Sequence, residues 1–167
     1  PNITRWETAN NLFAGTIPPL LGNCSQLLTL FMGHNPLTGT LPNIFGSMTS
    51  LKFVGFDYTY VTGTLPETFC IPGLAKPALE SITVSHAGLV GSLPSSLANC
   101  FMLTVLEVDT NHLTGTFPSS LSSLTGLAYL YLYDNQLTGV LPAGVGNWVE
   151  IVSFNIGYNS FSGMLST

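Results

Sequence analysis

Chemistry in this 167-residue chain would have to come from few side chains. There are eight acidic residues and six tyrosines, but only three strong bases, Arg5, Lys52 and Lys76, and three histidines, His34, His86 and His112. Charged residues make up 7% of the chain and the net charge is -5. Phosphate contacts need Lys and Arg, so nucleic acid is excluded as a partner. A basic helix lying on a membrane is excluded for the same reason. Glu107 and Asp109 stand two residues apart, which puts both on one face of a strand. Glycosidases use two carboxylates about 5–9.5 Å apart, yet any acid pair so spaced on a strand passes that test. Glycine-rich phosphate loops and the HExxH and GxSxG patterns are absent. The expectation is no enzyme, no catalytic residue, no metal and no cofactor.

The elements that position these side chains are legible in a repeat. Gly15, Gly39, Gly63, Gly91, Gly115, Gly139 and Gly163 recur at steps of 24, 24, 28, 24, 24 and 24 residues. Pro18, Pro42, Pro66, Pro94, Pro118 and Pro142 follow the same steps, 24, 24, 28, 24 and 24. Two residue types sharing one period and one four-residue excess define a stacked repeat. The sixth copy reads Leu127-x-x-Leu130-x-Leu132-x-x-Asn135-x-Leu137-Thr138-Gly139-x-Leu141-Pro142. Residues 1–167 are read as one domain, with turns starting near 3, 27, 51, 79, 103, 127 and 151. The excess lies at 71–78, around Pro72, Gly73 and Pro77, and is expected to be a bulged surface loop on the convex side.

Each column has a physical role. The alternating L-x-L is a short strand with one face inward. A single turn cannot bury that face alone, so turns stack into a parallel sheet over a shared core. Asn satisfies backbone groups in the bend after the strand. Gly relaxes the next bend, and Pro ends the second extended piece. Thr59 and Ala87 stand where turns three and four should carry Asn, so the sheet is expected to be least regular there. The T-G-T pairs around Gly39, Gly63 and Gly115 form a threonine stripe of the kind seen on ice-binding solenoids. The simpler reading is that Thr suits a second, outer strand.

Residues flanking the inward positions point to the concave face. Five of the eight acids and five of the six tyrosines fall in those columns. The candidate ligand-binding patch is Asp57, Tyr58, Glu107, Asp109, Tyr129, Tyr131, Tyr133, Asp134 and Tyr158. Exposed aromatics are enriched at binding surfaces, and the sign of the patch favours a neutral or basic ligand. Against this, Tyr has high strand propensity and could simply cover strands. His34 and His86 share a register two turns apart, roughly 10 Å, too far for both to hold one metal at about 2 Å.

The unit resembles the leucine-rich repeat. Its added L-T-G-x-L-P is similar to the plant-type subclass, found in plant receptor-kinase ectodomains and polygalacturonase-inhibitor-like proteins. The resemblance implies an α/β-type solenoid of about seven 24-residue turns, with a concave parallel sheet, short second strands and a convex side of 3-10 or irregular pieces. It implies a non-catalytic, extracellular or cell-surface recognition module for a protein, peptide or glycan. The alternative is a structural or adhesive filament component. Family members often carry paired-Cys caps, which this chain lacks, so it is expected to be a fragment or to be covered at its ends by neighbouring or identical chains. Cys24 and Cys100 follow Asn, as buried thiols of the plant-type repeat do. A Cys70–Cys100 bridge across adjacent turns requires Cα atoms within about 7 Å; buried free thiols are the simpler expectation. Asn2 and Asn23 begin N-x-[ST] glycosylation sequons.

Overall fold

The computed structural model describes residues 2–73 and 78–164. Lys76, Pro77 and Leu165 lie outside the described residues. The chain winds as a stack of seven turns. Strands Arg5–Glu7, Thr29–Phe31, Phe53–Gly55, Ser81–Thr83, Val105–Glu107, Tyr129–Tyr131 and Ser153–Asn155 form one parallel sheet in chain order. The register sets like on like: Leu30 faces Val54, Val54 faces Ile82, Ile82 faces Leu106 and Leu106 faces Leu130. Those middle residues are fully buried, so each turn supplies the floor its neighbour needs. Burying one such side chain stabilises by about 1.5–3 kcal/mol.

Proline opens the convex side rather than only closing the strand before it. The carbonyls of Pro18, Pro66, Pro94, Pro118 and Pro142 accept the N–H three residues on. Each starts a 3-10 helix, as at Pro19–Asn23 and Ser119–Ser123. Between the concave strands and these helices runs a second set of short parallel strands. Here the threonine stripe has a packing role. The methyl carbons of Thr16, Thr40, Thr64 and Thr116 sit 2.8 or 2.9 Å from where a Cβ would stand on Gly39, Gly63, Gly91 and Gly139. Those glycines also hold φ of 78–84°, so both backbone conformation and space demand glycine there.

The asparagine column works as the sequence suggests. Asn111 is buried; its Nδ2 donates to the carbonyls of Val84, Val108 and Asp109, and its Oδ1 accepts from Leu89 N–H. Asn35, Asn135 and Asn159 repeat the pattern. Thr59 replaces it with one bond, from Oγ1 to the Phe56 carbonyl at 2.8 Å. The expected irregularity at turns three and four is not found: Phe53–Gly55 pairs with Ser81–Thr83 residue for residue. The side chain serves the bend, whereas the strand bonds are backbone to backbone, so losing Asn does not disturb the sheet.

Cys70 and Cys100 form a disulfide with Cα atoms 5.3 Å apart. It ties the ends of two adjacent convex helices just before the insertion, whose first residues, Ile71, Pro72 and Gly73, are exposed. The free-thiol expectation therefore holds for Cys24 alone, which is buried. Among the described residues no helix is long and apolar enough to cross a membrane.

Candidate ligand-binding face

Four columns line the concave side, because two strand residues and the two that follow face away from the core in every turn. Side by side in the middle of the sheet lie three acids of the sequence patch. Asp57 accepts Thr83 Oγ1 at 2.6 Å and Ser85 N–H at 2.8 Å. The Ser85 hydroxyl donates to Asp109 at 2.5 Å. Ser85 is buried, so one residue bridges carboxylates from turns three and five. Glu107 lies beside them. Its carboxyl is held above the usual range, first by burial and then by the charges of Asp57 and Asp109. A carboxylate that is desolvated and crowded by like charge is stabilised by an arriving cation or hydrogen-bond donor.

The tyrosines adjoin this cluster on the C-terminal side. Tyr131 is the register partner of Glu107. Its ring meets that of Tyr129 edge-on, centroids 6.4 Å apart at 67°. Tyr133 meets Tyr158 in the same way, at 5.0 Å and 64°. Tyr131 and Tyr133 are half-buried, whereas Tyr129 and Tyr158 are exposed. Seven of the nine predicted patch residues are thus gathered in the C-terminal two-thirds of the face or adjoin it: Asp57, Glu107, Asp109, Tyr129, Tyr131, Tyr133 and Tyr158. Two stand apart. Tyr58 and Asp134, three turns from each other in the outermost column, line an edge rather than the centre; Tyr158 shares that column but meets Tyr133.

That outermost column carries the feature the sequence reading missed. Asn10, His34, Tyr58, His86, Thr110, Asp134 and Tyr158 all hold φ between 51° and 58°. Positive φ is uncommon outside glycine, and Asn, Asp and His enter it more readily than Tyr or Thr. The left-handed step turns these side chains outward along the lateral edge. There Tyr58 stacks between His34 and His86, centroids 4.5 and 4.2 Å away at 17° and 12°. The gap anticipated between the two histidines is filled by a tyrosine ring. The signal was present as two histidines and a tyrosine in one register, but the bend that brings them into contact was not. The sequons lie elsewhere, Asn2 before the first strand and Asn23 at the end of the first convex helix, both exposed.

The Leucine Rich Repeat family model matches residues 26–48, 102–124 and 126–148. No curated protein matches the chain. Solved structures do. The chain is similar to the plant peptide hormone receptor RGFR1, solved in complex with RGF2, at 30% identity and a TM-score of 0.89 over 95% of its length. It is similar to the leucine-rich-repeat ectodomain of the receptor kinase GASSHO1/SCHENGEN3 from Arabidopsis thaliana, solved with CASPARIAN STRIP INTEGRITY FACTOR 2, at 31% identity and a TM-score of 0.92 over 99% of its length. A third is the Arabidopsis receptor kinase HAESA, solved with the peptide hormone IDA and the co-receptor SERK1, at 28% identity and a TM-score of 0.91 over 98%. The chain spans 25%, 19% and 26% of those three chains.

Proposed function

This chain is a plant-type leucine-rich-repeat solenoid, and we propose that it is a non-catalytic, extracellular recognition module that binds a peptide or protein segment on its concave face. The observation that carries this reading is the junction of Glu107 with Tyr131. A desolvated carboxylate, two further acids and an apron of tyrosines form one continuous surface, and aromatic and charged groups of this kind dominate binding energy. Among the similar structures, RGFR1 is a peptide hormone receptor and HAESA is solved with the peptide hormone IDA, which supports a peptide over the glycan also considered for this face. The patch is acidic, so the segment it fits presents Lys, Arg or N–H donors toward Asp57, Glu107 and Asp109 and apolar groups toward Tyr129, Tyr131 and Tyr133.

A catalytic use of the acids is disfavoured by their bonding. Asp57 and Asp109 are already held by Thr83 and Ser85, which suits fixed acceptors on a binding face. The Cys70–Cys100 disulfide and the exposed sequons at Asn2 and Asn23 support an oxidising, extracellular compartment. The double substitution Tyr131→Ala with Asp109→Asn tests the reading: a bound peptide segment is lost from the variant, and unchanged binding would sink it.

Assembly is a second reading with its own observation. Leu12, Phe13 and Leu20 of the first turn, and Val152 and Phe154 of the last with Val149 just before it, are exposed. Further repeats of the same protein, or a neighbouring chain, would cover them. Light scattering of the chain at rising concentration distinguishes the two: a stable monomer counts against assembly.

A further inference from the structure

We propose that the lateral edge of the solenoid, outside the concave patch, is a second binding site that takes a neutral saccharide chain. All three histidines of the protein lie here. His86 lines two cavities at once, one of about 500 Å³ shared with His34, Tyr58 and Tyr60, and one of about 370 Å³ shared with His112, Asp134 and Gln136. Both are open depressions, and they meet at His86 along the edge; each is within the size range of small-molecule sites.

The chemistry of the groove selects its occupant. Its first part is aromatic. Both faces of the Tyr58 ring are covered by imidazoles, so the stack is a fixed wall beside the groove rather than a stacking face, and little side-chain entropy is lost there on binding. Tyr60 is 69% exposed and offers a free ring face. The second part is polar but nearly uncharged, with His112, Gln136, Thr110 and the single carboxylate Asp134. Asn35, Asn111 and Asn135 also line the walls, but their amides are consumed by backbone groups. No Lys, Arg or Glu lines either part. A phosphate or polyanion has no permanent cation to meet, and a basic peptide has one acid. A proline-rich strand suits aromatic grooves, yet it has few N–H donors to offer Asp134 and Gln136. A neutral sugar has both halves of the match: a C–H face for the exposed Tyr60 ring and hydroxyls that donate and accept along its rim. The site shares Tyr58 and Asp134 with the sequence-derived patch but does not depend on the concave-face reading.

The test uses the whole chain and its three histidine imidazole signals in NMR. The probes are neutral hexasaccharides of β-1,4-glucose, β-1,3-glucose and β-1,4-mannose, with decaproline as the competing chemistry. At least one hexasaccharide shifts the His86 and His112 signals, Tyr60→Ala weakens that binding at least about tenfold, a 1.4 kcal/mol change, and Tyr131→Ala leaves it unchanged. The proposal is overturned if no hexasaccharide shifts them, if decaproline alone does, or if Tyr60→Ala and His112→Ala both bind as the parent does. Loss on Tyr131→Ala with Tyr60→Ala unaffected would also overturn it, and would place the sugar on the concave face instead.

Discussion

Ser85 donates its hydroxyl to the carboxylate of Asp109 across 2.5 Å. Its own N–H is spent on Asp57 at 2.8 Å. One buried serine thus sets the position of two acids on the proposed binding face, and its removal should be felt in both fold and recognition.

Ser85→Ala leaves Asp109 without that donor in a half-buried position. The expected loss is about 1–2 kcal/mol, read as a lower midpoint in urea unfolding with an unchanged slope. A midpoint equal to that of the parent would show the bridge to be unimportant.

Glu107 gives stability a pH dependence with a definite sign. Its folded carboxyl titrates above the ordinary value, so only at pH between the unfolded and the folded value does the native chain hold a proton that the unfolded chain has released. Stability from this group is present below the ordinary carboxylate range and is lost as pH rises through the raised folded value. Glu107→Gln removes the loss. The variant is more stable than the parent at pH 7, by less than about 1 kcal/mol given solvent screening, and the difference closes near pH 4. Urea midpoints at both values check this; a variant less stable at pH 7 contradicts it.

The asparagine column supplies a pair of opposite expectations. Asn111→Ala strands three carbonyls and one N–H in a buried bend and costs about 2–4 kcal/mol. Ala87→Asn does the reverse. By the register of its neighbours, an Asn there reaches the Phe56 carbonyl and Val61 N–H, and a gain of about 1 kcal/mol is expected. Thermal unfolding of the two variants measures both; each kcal/mol moves the midpoint by about 2–4 °C at this size.

The disulfide closes a loop containing the insertion and the whole fourth turn. Replacing Cys70 and Cys100 together by Ala lowers stability by about 2–4 kcal/mol. Cys24 stays unreactive toward a thiol reagent in the native chain and reacts once in denaturant, because it is buried and unpaired. Mass spectrometry after alkylation reads this; labelling of the native parent chain would contradict it.

Much of this was legible in the sequence because each repeat position has a single physical job. Leu30, Val54, Ile82, Leu106 and Leu130 fall on the core face, as the L-x-L spacing demands. The outward columns follow from the same register, so Glu107 and Tyr131 stand side by side on the sheet, away from the core. The residues misread are those whose role depends on the neighbouring turn. Ala87 looked like a break in the sheet, yet backbone pairing passes it by. Thr38, Thr62 and Thr138 do stand in second strands, as the simpler reading has it, whereas the packing of the Thr40 and Thr64 methyls over the next turn's glycine needs the neighbouring turn to be seen. His34, Tyr58 and His86 are spaced by whole repeats, and only the left-handed step after each strand brings their rings together.

The central claim, recognition on the acid and tyrosine face, is tested most directly by selecting binders from a displayed random dodecapeptide library on the whole chain. Selected peptides are predicted to carry Lys or Arg beside apolar residues and to lose at least about tenfold in affinity, or 1.4 kcal/mol, for Tyr131→Ala with Asp109→Asn. Peptides that bind the double variant as tightly as the parent would place recognition elsewhere and contradict the account.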